Sequence, residues 1–176
     1  GEDGEQVLRR VVEGLPAYLE PGGRFYGYAV ASDREGEPLE QRIRKWLGAQ
    51  ADEFNVLLVA ASQRRPEELA SPRGAAENRH WQRVFGKLKV RCMFSGSLVI
   101  ERHDSPANAF TVRMLAGPRT GWRETEWLRL WMTAAARAGN QEFLLAARPR
   151  MSSLLELRSV HRARAGRLVP EECTLT

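Results

Sequence analysis

Cysteine is scarce in this chain. Cys92 and Cys173 are the only two in 176 residues, too few for a disulfide framework or a four-ligand zinc site, while a single bridge between them stays open. Long apolar runs are missing as well. Stretches such as Val56-Leu57-Leu58-Val59-Ala60-Ala61 fall far short of the ~20 residues that a membrane helix needs. Only three of the 27 basic residues are lysine, Lys45, Lys87 and Lys89, and the rest are arginine. The three histidines, His80, His103 and His161, are widely separated, with no His-x-x-x-His pair and no Cys-x-x-Cys, so no metal-ligand spacing is present. The stretch Gly1-Glu2-Asp3-Gly4-Glu5 has neither the basic nor the apolar region of an export signal. These absences predict no membrane segment, no metal and a reducing, cytoplasmic setting.

What is there suits one compact domain or two small ones: 43% of residues are hydrophobic and 28% charged, which excludes a collagen or a disordered tail. The net charge of +5 is uneven, running −4 over residues 1–60, +6 over 61–121 and +3 over 122–176. A basic middle segment can attract nucleic acid or another polyanion. The preponderance of arginine is equally what biased codon usage would produce without selection for binding.

From Glu5 to Leu19 the residues Val7, Leu8, Val11, Val12, Leu15 and Leu19 recur at three- and four-residue intervals, the mark of an amphipathic helix. Glu20-Pro21-Gly22-Gly23 stops it. Arg24 to Ala31 is aromatic and apolar on both alternating faces, as expected of a central strand buried on both sides. A loop opening at Ser32 or Asp33 leads to a helix from Pro38 to about Leu47, with Leu39, Ile43, Trp46 and Leu47 inward and Gly48 as its stop. Glu53 to Ala61 reads as a second strand. This alternation predicts helices covering a largely parallel sheet. Residues 62–74 read as a solvated loop, 75–88 as a helix, and 89–103 as one long or bulged strand interrupted by Ser95-Gly96-Ser97. Phe110 to Leu115 is a further strand, and Trp122 to Ala138 the clearest helix of the C-terminal part, ended by Gly139. The last 37 residues suggest short strands or a short helix, with a domain boundary near Asp104-Ser105-Pro106-Ala107-Asn108.

Gly1-Glu2-Asp3-Gly4, a helix, Leu19-Glu20-Pro21-Gly22-Gly23 and then a strand resemble the second half of a class I S-adenosylmethionine-dependent methyltransferase. More narrowly, they resemble the small-domain enzymes that methylate glutamine side chains or nucleic-acid bases. In that family a Gly-Asp-Gly-like turn follows the Asn/Asp-Pro-Pro-Tyr substrate loop, and a Leu-Lys-Pro-Gly-Gly turn leads into the fifth strand. The resemblance covers residues 1–103 and places the 37–47 helix and the strands at 54–61 and 97–103 where the family has its last helix and last two strands. It implies an α/β fold holding the last strands and helices of a partial Rossmann-like methyltransferase sheet, with residues 104–176 as a small α+β appendage. It implies a transferase using S-adenosylmethionine as cofactor. The chain departs from the family in lacking both the Gly-x-Gly loop after the first strand and the acidic residue that ends the second. A methyl donor needs both, one for backbone approach and one for its ribose hydroxyls. The isolated chain is therefore expected to be inactive, with neither catalytic nor cofactor-binding residues of its own. The family sets the fifth strand beside the fourth, so the strand at 24–31 would carry an unpaired edge. The partner expected there is a missing N-terminal half or a second chain, a further copy of this one included.

The competing expectation is a non-enzymatic module that contacts nucleic acid or another polyanion through Arg79, Arg83, Lys87, Lys89 and Arg91. Arg79 and Arg83 are one helical turn apart and share a face, while Trp81, Val84, Phe85 and Leu88 are expected to pack inward. A structural or assembly role is a third expectation. Asp33, Glu35, Glu37 and Glu40 cluster at a helix start, where the helix dipole favours negative charge. Ser95-Gly96-Ser97 lacks the nucleophile-elbow pattern of a serine hydrolase. Trp127 and Trp131, four apart, read as core packing.

Overall fold

The structure is a computed structural model and describes residues 5–69, 74–103, 109–117, 121–138, 157–164 and 167–175. Two compact units are present, residues 1–140 and 141–176. In the first, α1 (Gln6–Tyr18) leads to β1 (Arg24–Arg34), α2 (Leu39–Leu47) and β2 (Phe54–Arg64), followed by α3 (Ala75–Lys87), β3 (Val90–Arg102), β4 (Thr111–Leu115) and α4 (Trp122–Ala138). The sheet order is β1-β3-β2-β4.

This sheet is mixed. β3 runs antiparallel to both β1 and β2, and β4 runs parallel to β2. The expected parallel sheet thus survives only in the shared direction of β1 and β2 and in the β2/β4 ladder. A second helical crossover does not follow β2. Instead, α3 and a tight turn at Lys89 (φ 51°) return the chain between the two strands. The 89–103 segment is one continuous strand, as expected. Its Gly96 lies opposite a register shift in β2 between Ala60 and Ser62, where the two backbones approach too closely for any side chain. Beyond the 104–108 stretch, which lies outside the described residues, β4 rejoins the same sheet. The compact units accordingly part at residue 140.

One face of the sheet is closed. Val12 and Leu15 of α1 and Leu39, Ile43 and Leu47 of α2 pack on Ala29, Ala31, Phe54, Val56, Leu58, Phe94, Leu98 and Ile100. Gly48, at φ 66°, ends α2 in the left-handed region that glycine occupies without strain. The other face is covered in part. There Leu57, Val59 and Val99 pack with Tyr26, Phe110, Val112 and Leu128. Arg129 of α4 is buried, and its Nη1 donates to both Glu101 oxygens at 2.9 and 3.1 Å. Tyr26 Oη donates to Glu126 at 2.5 Å, and its ring meets Trp122 edge-on at 4.7 Å.

Two expectations about burial fail here. β1 is an edge strand whose only neighbour among the described residues is β3, and Tyr28 and Val30 stand exposed on its outer face. Trp127 and Trp131 stack at 5.8 Å, but Trp127 is 60% exposed and not in the core. The inward residues of α4 are Thr125, Leu128 and Arg129, because the sheet offers Glu101 as a buried ion-pair partner there.

The second unit holds an antiparallel hairpin of β5 (Leu157–Arg164) and β6 (Arg167–Leu175), shifted in register between Val160 and His161. Phe143-Leu144-Leu145, Gly139 and the Gly1-Glu2-Asp3-Gly4 turn lie outside the described residues. No helix among the described residues is long and apolar enough to cross a membrane.

Candidate functional site

A cavity of about 520 Å³ opens where β1 and β2 end and β3 begins. The carboxyl ends of strands that share a direction are where α/β sheets commonly place ligands. Val30, Ala31 and Ser32 of β1, Val90 and Met93 of β3 and Arg64 of β2 form the sheet side, and Trp81, Val84 and Phe85 of α3, with Leu88 just after it, the helix side. Ser32, Met93 and Arg64 are cross-strand partners, one row across three strands. Glu5, Glu68, Leu69 and Asn78 complete the wall.

The apolar face of α3 creates this space. Its sequence gives Trp81, Val84, Phe85 and Leu88 one helical side, as expected, yet no residue of α3 is buried. The helix stands off the sheet instead of closing on it, held by Gln82 Nε2 donating to the Pro66 carbonyl at 3.1 Å and by the turn at Lys89. Trp81 and Phe85 stack with ring centres 5.9 Å apart at 26°. Their rings line the cavity.

At its inner end lies an ionic cluster that patterning did not single out. Glu5 is only 4% exposed. One carboxylate oxygen accepts from the Ser32 backbone N–H at 2.6 Å and from Ser32 Oγ at 2.7 Å, and the other from Arg34 at 3.1 Å. Buried Arg42 donates to both Glu5 oxygens and to the Ser32 carbonyl. These contacts tie the start of α1 to β1 and α2. Arg42 was legible only as an exposed-type residue on α2, one position away from the apolar Ile43.

The acidic cluster expected at the start of α2 is there for the expected reason. Asp33 Oδ1 accepts from the Leu39 N–H at 2.9 Å. It also meets Arg113 of β4, which bridges to Glu40. Burial alone would raise the Asp33 carboxyl, but the Arg113 hydrogen bonds and the Leu39 N–H outweigh it and hold it below the usual range. Glu35 and Glu37 stay near the surface, paired with Arg91 and Lys45.

The five cations expected to form a polyanion surface are divided. Arg79 and Arg83 share the outer side of α3, flanking a shallow groove with Asn78 and Gln82. Lys87 ends the helix, Lys89 lies in the turn, and Arg91 on β3 is bound to Glu35 at 2.5 Å. Cys92 carries a free thiol, and burial pushes it up from its ordinary value; the Cys173 side chain lies outside the described residues.

The residues present do not fit S-adenosylmethionine. No glycine-rich strand-to-helix loop occurs among the described residues. The one glycine between β1 and α2, Gly36, is flanked by Glu35 and Glu37, whose charge opposes the carboxylate of the methionine moiety. Compared with protein-family models and with curated proteins, the chain matches none.

Proposed function

We propose that this chain is the C-terminal part of an S-adenosylmethionine-dependent methyltransferase, whose cofactor is held by strands that pair along the free edge of β1. The observation that carries the reading is that edge. β1 spans 11 residues and, among the described residues, pairs only with β3 on its inner side, so that no described strand pairs with its outer edge. An edge of this length with no charge between Phe25 and Ser32 is a template for another strand. Two further features support the reading. The segments matched to the family's last three strands share one sheet, and the helices before and after β1 cover the same face of it. The competing polyanion reading rests on Arg79, Arg83 and Lys87, spaced one turn apart along α3, while Arg91 is engaged by Glu35.

Because the chain's own residues do not suit the cofactor, no step of methyl transfer is assigned to them. The test is calorimetric titration of S-adenosylmethionine and its demethylated product into two proteins, this chain and its form carrying the sequence encoded ahead of Gly1. Binding by the longer protein alone is the expected result. Failure of the longer protein to bind, or isolation from the native source of a monomeric 19.9 kDa chain, refutes the reading.

A further inference from the structure

We propose that the cavity beneath α3 binds a planar aromatic anion, its rings held against Trp81 and Phe85 and its acidic group at Arg64. The inference does not depend on the methyltransferase reading, since it uses only the walls of the cavity.

Size comes first. About 520 Å³ lies within the range of small-molecule sites and suits a ligand of two or three fused or linked rings. The walls then fix its character. Trp81 and Phe85, stacked on each other at 26°, line the cavity together with the aliphatic side chains of Val30 and Val90. A flat apolar body suits walls of this composition, and aromatic partners favour offset or edge-on contact. Val30 is 60% exposed although its side chain is fully apolar, so a bound ring would remove surface that the fold leaves wet.

The charges select the head group. Arg64 lines the cavity, and its side chain makes no hydrogen bond or ion pair among the described residues. Glu68 lines it too, but its Oε2 is engaged by the Arg65 backbone N–H at 3.1 Å. The inner carboxylate, Glu5, arrives with Arg34 and Arg42 attached, so that cluster carries one net positive charge. Of the charged residues that line the cavity, Glu5 is compensated by Arg34 and Arg42 behind it and Glu68 is engaged at Oε2, which leaves Arg64 as the lining cation able to meet an anionic group.

The experiment is calorimetric titration of two probes of equal ring size, naphthalene-2-carboxylate and naphthalene-2-methanol, with amide shifts recorded by NMR. The wild-type chain is expected to bind both, shifting amides of residues 30–32 and 81–90, and to bind the carboxylate about fivefold more tightly, as a partly exposed ion pair allows. Arg64→Gln should bring the carboxylate to the affinity of the alcohol and leave the alcohol unchanged. Val30→Trp, which fills the cavity from a position outside the closed core, should weaken both at least about tenfold. The absence of saturable binding by either probe overturns the proposal, as does binding that Val30→Trp leaves intact. Equal affinities in the wild type overturn the assignment of Arg64. Because Arg64 is an exposed residue, its variant tests the head group even if Val30→Trp disturbs the strand.

Discussion

Gly96 is the point at which β3 and β2 come closest, and replacing it with alanine probes that approach directly. A Cβ built there would lie 2.9 Å from Ala60 Cα and 3.0 Å from Ala61 N, and closer still to the Val59 carbonyl oxygen. All three atoms are backbone, so no rotamer change relieves the clash. The bulge between Ala60 and Ser62 must open, or β3 must move off a neighbour whose side chains at Leu57, Leu58 and Val59 are fully buried. Overpacking of cores costs typically 1–3 kcal/mol, and rigid neighbours put this site at the upper end, about 3 kcal/mol. With a urea dependence of about 2 kcal/mol per molar, the unfolding midpoint should drop by about 1.5 M. The assay is equilibrium urea unfolding followed by circular dichroism. A loss below about 1 kcal/mol would show that the strands adjust easily and that the glycine answers no steric demand. Gly86, near the end of α3, has open space around its Cβ direction. It serves as the opposite control.

Gly86→Ala should strengthen α3 by up to about 1 kcal/mol through helix propensity, read as slower amide exchange in residues 80–87; unchanged exchange would count against a helix there. Arg129→Met should destabilise the first unit by about 3 kcal/mol, because it leaves the Glu101 carboxylate buried with, among the described residues, only the partly exposed Arg24 and Thr133 as partners. Denaturation of the single variant and of Arg129→Met with Glu101→Gln checks this, and equal losses in both would refute the ion-pair account. The Arg129 guanidinium, together with the Tyr26 hydroxyl and against the opposing effect of burial, holds the Glu126 carboxyl at about 2. A lowered carboxyl stabilises the fold above its unfolded value, near 4.5, and that stabilisation drains away as pH falls toward 2. Stability measured from pH 5 to pH 2 should therefore decline, and decline less in Glu126→Gln; identical slopes would refute the assignment. Burial and the neighbouring Glu126 raise the Tyr26 phenol, so its contribution is present below pH 10 and lost above it, a loss that Tyr26→Phe should abolish in an alkaline titration.

Local pattern was legible where one physical requirement acted alone. The spacing of Val12 and Leu15, of Leu39, Ile43 and Leu47, and the run from Phe54 to Val59 each place a residue in the closed core. Gly48 ended α2 as a glycine with positive φ should. Pattern was silent where two distant charges satisfy each other. Glu5 with Arg42, and Glu101 with Arg129, are 37 and 28 residues apart, and no spacing rule links them. Their burial is visible only once β1, α2, β3 and α4 are assembled. Strand direction was misjudged for a related reason. The alternation of helix and strand predicts parallel neighbours, but whether the chain returns antiparallel between two parallel strands depends on how α3 and the Lys89 turn end.

The failures about burial share a cause that bears on function. Apolar side chains in a sequence record a requirement for burial, not its fulfilment. Tyr28 and Val30 on β1, Trp81 and Phe85 on α3 and Trp127 on α4 were all expected to be enclosed, and all meet solvent or an open cavity. By contrast, Phe54, Val56, Leu58 and Ala60 of β2 are all enclosed in the core with α1 and α2. Exposed apolar side chains also stand on α1, β4 and α4, as on most surfaces. Those on β1 and α3 lie along one edge and the end of one sheet, beside the edge of β1 that no described strand pairs with and the cavity under α3. Those are the places where a further strand and a bound ring would each complete the burial that the sequence specifies.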